Sequence, residues 1–252
     1  MLPGMLSFPV PAATLTEAKR RSTAIGPVYG ETSLSNPAGR PVNKPIPSTA
    51  MSTHKAAAAT RILIVRHGQS EWNAAGRWQG RADPPLTFEG RRQASVAARA
   101  LGPFDAVVSS PLQRAGETAS IIAEYLGTGP VLTDTDLMER DAGEWQGLTR
   151  NEIELEWPGY LEEGKRPPSY ESNEAMVGRV IGALSRIAER AQGGNVLVVA
   201  HGGVVYALEE SCGEQWRRIP NLGARWFQVS DGVVTAGQRI ELLPDGTLPD
   251  LL

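Results

Sequence analysis

The sequence predicts an α/β fold: a three-layer sandwich with a mostly parallel central sheet flanked by helices. Three observations predict it. From residue 61 onward, short apolar runs alternate with longer segments of helical period, the pattern of a sheet whose strands are joined by helices. Two of those runs, 62–65 and 196–200, are apolar without a break and read as strands covered on both faces. Both stop at a histidine followed by glycine, Arg66-His67-Gly68 and His201-Gly202-Gly203, in a 252-residue chain that has only 3 histidines. Matching junctions put two imidazoles at the C-terminal ends of strands, where open α/β sheets bind their ligands.

Residues 1–58 stand apart. They are rich in Pro, Ala, Ser and Thr and lack either hydrophobic period, so they bury too little apolar surface to offset ordering entropy and are expected to be a disordered extension. The basic Lys19, Arg20 and Arg21 are not followed by the apolar core of an export signal, and Met51 is a candidate start of translation. The folded domain is expected over 59–252.

Within that domain, Thr87 is placed to cap a helix to about residue 101, with Ala94, Ala97, Ala98 and Leu101 on one face. Residues 106–109 read as a second strand, and Pro111 precedes a helix carrying Ala115, Ala119, Ile122 and Leu126 that Gly127 closes. Residues 131–137 predict a third, weaker strand. Thr149 and Glu152 have capping-box spacing and open a short helix that Pro158 ends. Residues 159–172 read as an irregular excursion over the sheet, a candidate lid. Ser172 then caps a long helix with Met176, Val180, Leu184 and Ile187 on one side. A helix over 203–210 follows the strand 196–200. The strands 226–229 and 233–242 come last, joined by Asp231-Gly232 as an antiparallel hairpin at an edge. Such an edge could pair two copies, so a homodimer is an expectation.

Composition narrows the function. A hydrophobic content of 41% supplies a core, and a formal net charge of −3 argues against a nucleic-acid partner. No stretch has the apolar length of a membrane span, and no membrane partner is expected. Cys212 is the lone cysteine, which excludes a disulfide framework and fits a reducing compartment, so a cytoplasmic location is expected.

The chemistry follows from what the strand ends carry: Arg66 and His67, Arg114 just after Ser109-Ser110, His201, and Glu139. Two guanidiniums, two imidazoles and adjacent helix starts favour a compact dianion, because the planar guanidinium fork matches phosphate oxygens. One unprotonated imidazole nitrogen could attack phosphorus and split a hard hydrolysis into two steps through a phosphohistidine. The other cationic and donor groups would meet the charge on the oxygens in transit, and Glu139 is the acid available for the leaving alkoxide.

These residues carry a resemblance. Arg66-His67-Gly68-Gln69-Ser70-Glu71-Trp72-Asn73, Gln79-Gly80, Ser109-Ser110-Pro111-Leu112-Gln113-Arg114-Ala115, Leu137-Met138-Glu139, Gly143-Glu144-Trp145-Gln146-Gly147 and His201-Gly202-Gly203 follow one another in an order that resembles the histidine phosphatase superfamily, the phosphoglycerate mutase-like group. The resemblance implies that fold, with His67 as the phosphorylated nucleophile and Arg66, Arg114 and His201 completing a phosphate pocket. It implies Glu139 as proton donor and then base, and Asn73, Gln79, Gly80 and Gly202 as substrate-binding positions. No metal and no cofactor is implied, and the partner is a small phosphorylated substrate. Mutases of the group carry a longer insertion between acid and second histidine. The compact interval here, with Trp145-Gln146-Gly147 and Glu171-Ser172, is similar to the phosphatase branch, although Pro168-Ser169-Tyr170 stands where glycines often precede that Glu-Ser pair. Hydrolysis is therefore expected over transfer; Lys165 and Arg166 keep a mutase in view, and read blandly they are two solvated loop charges.

Other readings are weaker. His67, His201 and Glu139 could serve as zinc ligands, but flanking arginines would oppose a dication. Cys212 and Arg218 have the spacing of a cysteine phosphatase loop without its glycines or buried strand. Trp72 and Trp78 are expected to pack rather than to bind. A phosphate-binding scaffold without activity would have lost nucleophile or acid, and neither is lost.

Overall fold

The computed structural model describes residues 58–244; the expected extension, the candidate start at Met51 and His54 lie outside the described residues. At the middle of the sheet, β1 (Thr60–Arg66) pairs in parallel with β4 (Asn195–Ala200) and antiparallel with β5 (Gly223–Ser230). Beyond β4 lie β2 (Ala106–Ser109) and then β3 (Leu132–Thr133), both parallel; beyond β5 lies β6 (Val233–Glu241), antiparallel. The order is β3-β2-β4-β1-β5-β6.

Strand alternation divides the core into two. Ile62, Ile64, Val196 and Val198 face one side, where α5 (Asn173–Ala191) and α6 (Gly202–Ser211) bring Met176, Val180, Leu184, Val204 and Leu208. Leu63, Val65, Leu197 and Val199 face the other, where α2 (Phe88–Ala100) and α3 (Gln113–Leu126) bring Ala97, Ala98, Ala115, Ala119 and Ile122. Each large aliphatic side chain so buried contributes roughly 1.5–3 kcal/mol. Helices on both faces explain why 62–65 in β1 and 196–200 in β4 are apolar without a break.

Local signals act as read. Thr87, Thr149 and Ser172 cap α2, α4 (Arg150–Glu156) and α5, and Glu152 returns the bond to the Thr149 amide at 2.7 Å. The β5–β6 turn has φ of 50° at Asp231 and 76° at Gly232, the two positive values a tight hairpin needs.

The expected third strand over 131–137 is corrected. Only Leu132 and Thr133 pair, both exposed, because the Asp134 side chain accepts from the Asp136 amide at 3.0 Å and starts a 3₁₀ turn, Thr135–Leu137, that sends Leu137 into the core. The excursion over 159–172 is anchored: Tyr160, Leu161 and Tyr170 join Trp78, Leu148 and Trp157 around Ala142, Trp145 and Ile153 in a third, smaller core beside α4. Trp78 packs edge-on against Trp145 at 5.1 Å, and Trp72, in the short helix α1 (Glu71–Ala74), lies beside Gly147. Among the described residues no helix is long and apolar enough to cross a membrane.

Candidate active site

Adjacent parallel strands deliver the two histidines. The His67 amide donates to the Ala200 carbonyl at 3.0 Å, and the rings of His67 and His201 stand 5.2 Å apart, centre to centre. Behind His67 the loop lies on the first turn of α2. A Cβ on Gly68 would stand 2.5 Å from the Gly90 carbonyl oxygen, and one on Gly90 would stand 2.1 Å from that of Gln69. Two glycines make that approach possible.

The two rings differ in their bonds. His67 Nδ1 donates to the Gly68 carbonyl at 2.7 Å, and Nε2 accepts from Arg114 Nε at 3.2 Å, so both contacts fix the same tautomer. Burial above all, then the charges of Arg114 and Arg66, hold its pKa well below the usual histidine value, against the opposing pull of the Gly68 bond. His201 Nε2 lies 2.8 Å from Ser110 Oγ, which already accepts from the Leu112 amide at 3.3 Å. The other ring nitrogen, Nδ1, is buried and without a hydrogen-bond partner among the described residues. Burial first, then Arg114, lowers the His201 pKa well below its usual value too.

Arg114 enters from the first turn of α3, wholly buried, and donates to the carbonyls of Ala82 at 2.8 Å and Gly80 at 3.0 Å. Burial lowers its pKa to about 10 against the charges of Glu139 and Asp83, so it stays a cation at neutral pH. Arg66 donates to the Ile219 carbonyl at 2.8 Å. Glu139 accepts from the Arg140 amide at 2.7 Å and, through its other oxygen, from the Gly203 amide at 3.1 Å in the first turn of α6, where a carboxylate suits the helix dipole. Gly202 opens α6 beside Arg66, whose Nε is 3.6 Å from where a Cβ would sit. Asn73 and Gln79 meet at Ser70, whose hydroxyl lies 3.1 Å from Asn73 Oδ1 and 2.8 Å from Gln79 Oε1. The nine residues expected at the site thus gather at one end of the sheet, linked by direct bonds and shared fields.

Several residues with a part in this geometry carried no separate signal in the sequence. Ser110 Oγ engages His201 Nε2 at 2.8 Å, and Thr118 Oγ1 accepts from the Gly68 amide at 3.1 Å. Asn221 donates to the His67 carbonyl at 2.8 Å from 154 residues away. Arg179 donates to the carbonyls of Asp136, Met138 and Glu139 and so fixes the segment that carries the acid. Of the loop charges, Lys165 pairs with Glu163, while the Arg166 guanidinium lies over Trp145 and Tyr170 at 5.3 and 5.5 Å. Cys212 faces the Val234 carbonyl. Among the described residues no group of three or more His, Cys, Asp or Glu could hold a metal ion.

Fold and site together define an α/β protein with two imidazoles and two guanidiniums gathered at the C-terminal ends of its central strands. Residues 62–234 match the model of the histidine phosphatase superfamily (branch 1), and the chain belongs to that family. It is 39% identical over 159 residues to a metal-independent phosphoserine phosphatase of Arabidopsis thaliana, covering 59% of this chain and 67% of that one. Phosphoglycerate mutase-like protein 4 of Arabidopsis thaliana is 36% identical over 184 residues, covering 68% of this chain and 80% of that one. Among solved structures, a mycobacterial glucosyl-3-phosphoglycerate phosphatase in complex with VO3 superposes with a TM-score of 0.61 at 30% identity, covering 70% of this chain and 99% of that one.

Proposed function

We propose that the protein hydrolyses the phosphomonoester of a small metabolite through a phosphohistidine on His67, without a metal. The observation that carries this is the state of the His67 ring: neutral, its proton held on Nδ1 by the Gly68 carbonyl, its Nε2 lone pair facing the Arg114 guanidinium. In the first step Nε2 bonds to phosphorus as the P–O ester bond breaks, and the Glu139 carboxyl gives its proton to the leaving alkoxide. In the second, Glu139 takes a proton from water as that water displaces the histidine. Charge on the phosphoryl oxygens is met by Arg66, Arg114 and the His201 Nδ1–H. Positive charge is thereby supplied by side chains, which supports independence from metal, as does the name of the Arabidopsis phosphoserine phosphatase. Relatives named for phosphoserine and glucosyl-3-phosphoglycerate support a small anionic substrate.

The test is phosphate release from a panel of alkyl and aryl phosphomonoesters by chelator-dialysed protein, with acid-labile label on His67 sought after rapid quenching. Turnover that survives chelation and labels His67 is the expected result. No hydrolysis from acid to neutral pH would overturn the proposal in favour of a phosphate-binding scaffold, and conversion of 3-phosphoglycerate faster than phosphate release would make it a mutase.

A further inference from the structure

The segment between α6 and β5 touches the site at three points. The Ile219 carbonyl accepts from Arg66 at 2.8 Å, Asn221 Nδ2 donates to the His67 carbonyl at 2.8 Å, and the Leu222 amide donates to the Arg66 carbonyl at 3.0 Å. Leu222, fully buried, has a φ of 55°, a left-handed conformation that a leucine keeps only when its surroundings impose it. The segment is also held from its far side. Arg239, on β6, donates to the carbonyl of Arg218 at 3.1 Å and that of Arg217 at 2.7 Å. The same guanidinium donates through Nε and Nη2 to both carboxylate oxygens of Glu209, the Nε contact at 2.6 Å.

Glu209 sits in α6, 1% exposed, and also accepts from Arg225 at 2.8 Å. A carboxylate so buried is costly unless its bonds are fully met, and removing it would take from the Arg239 guanidinium its carboxylate partner. Arg225 spends its remaining donors elsewhere, on the Gly237 carbonyl at 3.0 Å and on Glu214 at 3.0 Å. Arg239, which bonds both Glu209 and the carbonyls of Arg217 and Arg218, carries the constraint from Glu209 into residues 217–222.

We propose that Glu209 and Arg239 are positioning residues for the phosphate pocket: the carboxylate fixes the Arg239 fork, the fork fixes residues 217–222, and that segment holds Arg66 and the backbone of His67 in register. This rests on the reading of Arg66 and His67 given under the proposed function. Neither Glu209 nor Arg239 touches the reacting atoms. The arginine fork is required because one group must satisfy a carboxylate and two carbonyls at once, which an ammonium cannot do in the same geometry.

The experiment compares wild type with Arg239→Lys, Glu209→Gln and Ile187→Ala. The last opens a cavity under α5 toward the opposite end of the sheet and serves as the stability control. Binding of inorganic phosphate is measured by calorimetry, alongside kcat and KM for an aryl phosphate and the thermal unfolding midpoint. Arg239→Lys should bind phosphate about tenfold more weakly and lose on the order of 10²-fold in kcat/KM. Ile187→Ala should unfold earlier yet bind phosphate as wild type does. Should Arg239→Lys fail to fold, Glu209→Gln is expected to give the same weakening. Wild-type affinity in either folded variant, or equal weakening in Ile187→Ala, overturns the inference. Phosphate binding does not require turnover, so wild-type protein that binds phosphate and hydrolyses nothing would sink the proposed function while leaving this comparison decisive.

Discussion

The ends of β1 and β4 are neighbours in the sheet and finish in the same residue pair, yet they are built for different work. At His67 both ring nitrogens are engaged, one by the next carbonyl and one by Arg114. At His201 one nitrogen is engaged by Ser110 and the other is buried without a partner among the described residues. A buried ring nitrogen left without a partner costs about 1–3 kcal/mol, and a ligand that bonds to it recovers that cost. One ring is therefore satisfied within the protein, and the other keeps a nitrogen for a ligand. Under the proposed function, the same His-Gly pair at two strand ends is divided into nucleophile and donor by the neighbours each ring finds.

Breaking the first end should matter most. His67→Ala removes the atom that takes up the phosphoryl group and is expected to lower kcat on the order of 10⁴-fold or more, with circular dichroism unchanged. At the second end, His201→Ala removes a preorganised donor, and a loss of about 10²–10³ in kcat is expected in steady-state assays. If the two variants lost activity equally, the division of roles would be wrong. Glu139→Gln should slow alkyl phosphates about 10²-fold while slowing a nitrophenyl phosphate far less, since only a poor leaving group needs its proton; equal slowing of both would remove Glu139 from that role. Ser110→Ala removes the hydrogen-bond partner of His201 Nε2 and should cost about tenfold, with the His67 label still forming.

A smaller effect sharpens the same comparison in stability. Both histidines are held below their unfolded pKa, so the unfolded chain takes up protons first as pH falls below about 6.5. Stability is therefore complete above that pH and declines beneath it, by up to about 1.4 kcal/mol per pH unit for each ring. His201→Asn should flatten the decline seen in denaturant titrations between neutral and acid pH; an unchanged slope would mean that the ring titrates normally.

The parts of the molecule legible in the sequence are those written in adjacent residues. The capping pair Thr149 and Glu152, the Asp231-Gly232 turn and the strand–histidine–glycine junctions each need only a few consecutive positions, and each forms as read. Where a side chain competes with the ladder, the apolar pattern misleads: Val131, Leu132 and Leu137 suggest a strand, but Asp134 bonds its own backbone and ends it after two residues. Site residues that hold other site residues were invisible for a different reason. Asn221 and Arg179 reach their targets across the fold, and nothing near them in the chain announces a carbonyl waiting elsewhere. Arg166 looked like a solvated loop charge because the rings it lies over come from three separate segments.

Helix α2 lies on the outer layer and carries none of the nine residues expected at the site, yet its first turn touches the loop that follows His67 with no room for even a methyl group at Gly90. A random-mutagenesis screen scored only for lost turnover will therefore collect hits there, on a surface that an inspection of ligand contacts would pass over. For anyone redesigning this scaffold, the start of α2 belongs with the residues to leave untouched.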